Sequence, residues 1–261
     1  MRSKHSFLWS SITIAIAACL AGPADAVTIT LWDFDGNNDP SASILTEGNY
    51  YVDDGSFGVG PYQGSNQGIL QTVGGSPEGT IESNLGLGTN DIRQIFNTYV
   101  RRPGYSTSGP SDVESGSAFQ ISFTAEAGDV LAFDWNMLTD EFGRTPANPA
   151  VYTDFGWYQL TGADSAEGSL ANVNDGGFSA LGATAYDHHK GQQTTELTLA
   201  TGGTYTLTVG INDVLDTNNN FASALVLDYF RLLRMPEPGT FTTVASGLAA
   251  LSWLSRRRQL P

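Results

Sequence analysis

Between residues 28 and 233 the chain alternates apolar and polar residues with a period of two, and few folds accept that pattern so often. Segments 28–31, 119–124, 130–135, 155–160, 194–199, 204–211 and 224–233 are rich in Val, Ile, Thr, Tyr, Phe and Trp, the signature of half-buried β-strands. Turn formers such as Ala127-Gly128-Asp129 and Thr201-Gly202-Gly203 separate them. The short gap between 195–199 and 204–209 predicts a hairpin. Helical spacing is confined to 91–100, where Ile92, Ile95, Phe96 and Tyr99 share a face behind Asn90 as N-cap. Many short strands with little helix predict an all-β fold, an antiparallel two-sheet sandwich (jelly roll) with one or two short helices.

The formal charge is −15, with 12 basic residues against 27 acids. Five of the basic residues sit at the ends (Arg2, Lys4, Arg256, Arg257, Arg258), so the middle is more acidic still. Such a surface repels phosphate backbones and argues against nucleic acid as a partner, while cations and neutral sugars stay open. It also serves simply to keep a protein soluble. The single cysteine, Cys19, lies near the N-terminus. Gly86-Leu87-Gly88 lacks the preceding strand and third glycine of a phosphate cradle, and no Gly-x-Ser-x-Gly elbow occurs.

The two ends carry processing signals. Arg2 and Lys4, the apolar run 7–20 and Ala24-Asp25-Ala26 have the three-part form of an export peptide, leaving Val27 as the first mature residue. Ile16-Ala17-Ala18 before Cys19 also fits a loose lipobox, in which the thiol would be acylated. At the other end, Pro236-Glu237-Pro238 precedes an apolar run 241–254 and then Arg256-Arg257-Arg258. A helix over that run rises about 21 Å, short of a ~30 Å hydrocarbon core, and the arginines hold it at the cytoplasmic side. An ordinary C-terminal anchor would share these features. All three parts in this order resemble the PEP-CTERM proteins of Gram-negative bacteria. The resemblance implies recognition by an exosortase through Pro236, Glu237, Pro238 and the arginines. It further implies cleavage there, transient anchoring in the inner membrane by a C-terminal membrane-targeting helix, and delivery to the cell surface or exopolysaccharide matrix. Three parts follow: signal peptide 1–26, sandwich 27–234 and sorting signal 235–261. Blocks such as Leu131-Ala132-Phe133-Asp134-Trp135-Asn136, Leu138-Thr139-Asp140-Glu141 and Thr153-Asp154-Phe155 are similar to that group too, whose members are taken as jelly-roll sandwiches without established enzyme activity.

Candidate chemistry centres on acids. Strand alternation puts Asp228 on one face with Val226, Phe230 and Leu232, and a carboxylate buried among them must be protonated, paired or bound to a cation. Calcium takes oxygen ligands from several positions, and Asp33 and Asp35 near the first strand could share it with Asp228. A calcium joining first and last strands is also what a resemblance to jelly-roll carbohydrate-binding modules implies. Hydrogen bonds from backbone amides, or pairing with Arg231 or Arg234, would answer the same need. Asp140, Glu141 and Asp154 form a second cluster, suited to metal, to turns or to glycoside hydrolysis. Asp213 and Asp216 suit turn chemistry. His188 and His189, being adjacent, diverge and favour a solvent-facing role over metal. Tyr50, Tyr51 and Tyr62, placed on a glycine-rich loop, are candidate sugar contacts, whereas Trp135 suits the core. These features predict an exported, non-catalytic surface or matrix protein. The alternatives are a calcium-stabilised carbohydrate-binding module and a glycoside hydrolase.

Overall fold

The alternating segments do form strands, and several shorter stretches join them. A computed structural model describes residues 27–234 apart from 37, 40–41, 56, 101–112, 142–153, 183–184 and 215–221. The export and sorting signals, with Cys19, Pro236, Glu237, Pro238, Arg256, Arg257 and Arg258, therefore lie outside the described residues. Strands in chain order are β1 Val27–Trp32, β2 Ser43–Glu47, β3 Asn49–Asp53, β4 Gln67–Gln71, β5 Ser76–Pro77, β6 Val113–Ala125 and β7 Val130–Thr139. They continue with β8 Phe155–Gly162, β9 Ala166–Asn172, β10 Ser179–Ala180, β11 His188–His189, β12 Gln193–Thr198, β13 Gly203–Val214 and β14 Ser223–Arg234. Two helices, α1 Glu78–Leu85 and α2 Asp91–Ile95, precede a π-helical turn at Phe96–Val100.

The strands make two sheets. The eight-stranded one runs β10-β11-β7-β14-β4-β3, with β12 beside β7 and β1 beside β14. The six-stranded one runs β2-β6-β13-β8-β9, with β5 beside β6. Neighbours pair antiparallel, for instance Leu227 with Trp135 and Val209 with Tyr158. The expected hairpin of 195–199 with 204–209 does not form, because β12 pairs with β7 in the larger sheet and β13 with β6 and β8 in the smaller. The turn between them crosses from sheet to sheet.

Alternation explains the core. Phe133, Trp135, Met137, Leu225, Leu227 and Phe230 of the larger sheet meet Phe119, Ile121, Phe123, Leu207, Val209 and Ile211 of the smaller. Phe230 stacks on both Phe119 and Phe133, with ring centroids 5.2 and 5.5 Å apart. The outer face of the smaller sheet is covered by Ile81, Leu85, Ile92, Ile95 and Phe96 from the helical segment, packed on Phe155 and Trp157. Gly210 is needed there, since a Cβ would stand 2.5 Å from the Trp157 ring. Tyr99, expected on the apolar face of the helix, is instead 49 % exposed, because α2 ends at Ile95 and the π-helical turn shifts the following residues around the axis. Asn90 makes no side-chain cap; the buried Glu82 carboxylate accepts the Asn90 and Ile92 amides at 2.9 and 3.1 Å instead.

One irregularity decides the functional face. The β14 to β7 register shifts between Asp228 and Arg231, where Tyr229 takes φ 44. This bulge inserts one residue and turns the side chains over. Phe230 and Leu232 face the core, while Asp228 stays with Val226 on the outer face of the larger sheet.

Candidate functional site

A groove of about 340 Å³ opens on that outer face, between the strands and the loop before β4. Asp134 and Asn136 of β7, Asp228 of β14, His189 of β11, Gln192 and Tyr62 line it. Its volume is at the lower end of the about 300–1,000 Å³ usual for small-molecule sites.

Carboxylates fasten the loop that walls the groove. Asp228 Oδ2 accepts the backbone N–H of Tyr62 at 2.5 Å and of Gln63 at 2.9 Å. Asp35 accepts from Ser65 Oγ at 2.9 Å, Asn66 Nδ2 at 2.8 Å and the Ser65 amide. These bonds hold the Asp35 carboxyl below its usual range. Gln67, almost fully buried, donates to the Val59 carbonyl at 2.8 Å and to Asp53. Such side-chain acceptors are how an irregular segment satisfies amides that no ladder can reach.

The floor is charged but compensated. Asp134, opposite Asp228 in the ladder, takes Arg231 Nη1 at 2.7 Å and the Thr194 hydroxyl at 2.5 Å. Arg231 also lies over the Tyr229 ring, 4.9 Å from its centroid. Burial pushes the Asp228 carboxyl up to about 6 against the pull of the Gln63, Tyr62 and Tyr229 amides, with Asp134 adding repulsion. Two buried acceptors on this wall, Asn136 Oδ1 and Asp228 Oδ1, have no well-aligned donor among the described residues. Asn136 Nδ2 reaches toward His189 Nδ1 at 3.5 Å.

The sequence candidates distribute as follows. Asp228 is buried as expected, yet on the outer face, and Arg231 pairs with Asp134 rather than with it. Asp33 Oδ1 accepts the Asp35 amide at 3.0 Å, a local turn. Asp35 and Asp228 grip the same loop through different residues. Among the described residues no group of three or more His, Cys, Asp or Glu is placed to hold a metal ion. Of the three tyrosines only Tyr62 projects, 51 % exposed at the groove. Tyr50 and Tyr51 stand in β3 rather than a loop; Tyr50 packs on Phe119, and Tyr51 on Phe57 with its hydroxyl pushed up by burial. Trp135 is in the core, its indole donating to Thr195 Oγ1 at 2.9 Å. His189 is not simply solvent-facing but lines the groove. Asp134 and Asn136 were missed as site residues. Asp134 and Asn136 alternate with Phe133, Trp135 and Met137 in β7, a pattern that any strand with one apolar face shows.

A separate set of acids lies between the sheets. Glu141 and Asp154 come together there, and Asp213, expected in a turn, joins them from the end of β13. Burial first, then the charges of Glu141 and Asp213, hold the Asp154 carboxyl well above the usual range. None of the three lines the groove.

No protein-family model and no curated protein matches the chain. Solved structures show similar strand arrangements at low identity. A carbohydrate-binding module described in mannan recognition, TmCBM27, aligns at 12 % identity and TM-score 0.36, covering 83 % of this chain and all of that one. The module TmCBM61, solved with β-1,4-galactotriose, aligns at 10 % identity and TM-score 0.34, over 77 % and 90 %. The enzymatically active domain of tailspike protein 4 from bacteriophage CBA120 aligns at 9 % and 0.34, over 78 % of this chain and 21 % of that one. Likeness at this level leaves ligand and activity to be argued from the site, and the chain is a two-sheet antiparallel β-sandwich.

Proposed function

We propose that this is an exported protein, sorted to the cell surface or exopolysaccharide matrix by an exosortase, whose sandwich holds polysaccharide in the groove of the larger sheet without catalysis. The export and sorting half rests on the terminal signals. The binding half rests on one observation: two buried acceptors, Asn136 Oδ1 and Asp228 Oδ1, stand without aligned donors on the wall of a groove whose rim carries the exposed ring of Tyr62. Buried acceptors in that state are costly, and a polyhydroxylated ligand brings both the missing donors and an apolar ring face for an aromatic. The acidic surface favours neutral sugars over anionic ones. Asp134 and Asp228 hold structure rather than reacting groups, since a guanidinium, a hydroxyl and two amides already engage them.

A glycan array, backed by sedimentation with the producing cell's own polysaccharide, tests the binding half. Tyr62→Ala and Asn136→Ala should each weaken binding about tenfold while leaving the circular dichroism unchanged. Binding that ignores both substitutions, or no binding to any glycan, rejects the groove. Release of reducing sugar, lost in Glu141→Gln, would make the protein a hydrolase instead. For sorting, Glu237→Ala should leave unprocessed chain in the inner membrane; normal processing would refute the exosortase assignment.

A further inference from the structure

The helical segment covers the outer face of the smaller sheet only in part. Along β8, Phe155 and Trp157 pack beneath it, Gln159 and Thr161 follow on the same face, and the strand ends exposed at Thr161 and Gly162. Gln159 stands opposite Glu167 of β9 in the ladder, so the two side chains are neighbours on that face. A pocket of about 380 Å³ opens here, with Tyr99, Gln159, Thr161, Ser165 and Glu167 in its lining. That volume suits a small-molecule site, and the pocket belongs to the opposite sheet from the groove.

Gln159 is the key group. It is 8 % exposed, yet its Oε1 has no hydrogen-bond partner among the described residues. Its other end is fixed, because Nε2 donates to Asp91 Oδ2 at 2.9 Å and an ionised carboxylate can only accept. The amide therefore cannot turn over, and a buried carbonyl oxygen is left without a donor, which is costly. Glu167, half-buried beside it, makes no ion pair among the described residues, and neither Lys, Arg nor His lines the pocket. Tyr99 adds a half-exposed ring, brought to this place by the π-helical turn, a distortion that recurs at functional sites.

We infer that this pocket takes a cationic sugar, a 2-amino-2-deoxyhexose unit of a polysaccharide, its ammonium meeting Gln159 Oε1 and Glu167 and its ring lying against Tyr99. The lining offers acceptors and no cation, so the ligand must donate; an ammonium carries three donors and neutralises the carboxylate as well. The Tyr99 ring attracts the same charge and gives the apolar side of a pyranose a surface to rest on. Thr161 and Ser165 bring hydroxyls for those of the sugar. A bare metal ion suits the pocket less, since one carboxylate and one amide carbonyl fall short of the oxygens a hard cation gathers. The formal charge of −15 draws cationic polymers to the surface in general, and the pocket selects among them. This site stands whether or not the groove binds sugar; with both, one molecule bridges two polymer chains.

The test titrates the full chain by calorimetry with the disaccharide of glucosamine at about pH 6, where its amines are protonated. The N-acetylated disaccharide and a lysine dipeptide serve as the other two probes. The amine form should bind, and N-acetylation should weaken it about tenfold or more. Glu167→Gln, Tyr99→Leu and Gln159→Met should each weaken it about fivefold to tenfold. Tyr62→Ala in the groove and Glu196→Gln, an exposed acid of β12 in the other sheet, should leave it unchanged. Where Gln159→Met does not fold, the two substitutions at the less buried Glu167 and Tyr99 decide the matter. No binding, or equal binding of the N-acetylated form, overturns the site. A loss in Glu196→Gln as large as in Glu167→Gln overturns it by showing general attraction to an acidic surface. Dipeptide binding as tight as that of the disaccharide overturns the sugar assignment, and a loss confined to Tyr62→Ala overturns the pocket by moving the ligand to the groove.

Discussion

The outer groove and the end of the core both bury carboxylates, yet they treat them differently. On the outer face Asp134 has a guanidinium and a hydroxyl, and Asp228 has two loop amides on one oxygen. Between the sheets Asp154 meets two other acids. Burial alone therefore does not mark a binding site; what compensates the charge does. In the groove compensation is internal and positions a wall, leaving one oxygen of Asp228 and one of Asn136 over. At the end of the core burial, and then the neighbouring acids, instead hold the Asp154 carboxyl well above its usual range.

Breaking the internal compensation should have the largest effect. Arg231→Met leaves Asp134 buried without its cation, and urea unfolding should show a loss of about 3 kcal/mol or more. Equal stability would mean that solvent reaches Asp134. The opposite sign is expected at the end of the core: in EDTA, Asp154→Asn relieves repulsion and should raise Tm by a few degrees, whereas a fall would mean that the carboxylate is already paired. Next comes pH. Asp228 keeps its proton in the folded protein up to about 6, while the unfolded chain gives it up near the ordinary value of 3.8. Its contribution to stability is therefore complete below about 4 and is lost as pH rises through about 6. Urea midpoints measured across that window should decline, and Asp228→Asn should flatten the slope; an unchanged slope assigns it to other groups. Asp35, Glu47 and Asp164, held low by hydrogen bonds, act in the reverse direction below about 4. Smallest is Glu82→Ala, which removes the acceptor of the Asn90 and Ile92 amides and should cost about 1 kcal/mol, read by thermal melting. A neutral result there would show that water replaces the cap.

Strand content was legible where alternation was long. Six of the seven alternating segments fall within β1, β6, β7, β8, β13 and β14, and the seventh, 194–199, runs one residue past the end of β12. Strands β4, Gln67–Gln71, and β3, Asn49–Asp53, were not legible: β4 is buried at four consecutive positions and so does not alternate, and both stand beside glycine-rich turns. Helix α1 was also missed, since Gly79, Thr80 and Asn84 blur its apolar stripe. Of the site, Asp228, Glu141, Asp154 and Tyr62 could be named from their residue types. Asp134 and Asn136 could not, because a strand with both faces covered looks the same whichever face carries the ligand.

By itself the sequence determined that the middle of the chain is β, that its surface is acidic, and that both ends carry the pattern of processing signals. These are local or compositional properties, set by neighbours within a few residues. Only the tertiary structure decided that β12 and β13 part into different sheets, that a bulge at Tyr229 turns Asp228 away from Phe230, and that Glu141, Asp154 and Asp213 meet. Each depends on register between segments far apart in the chain, and a shift of one residue in register exchanges the two faces of a strand.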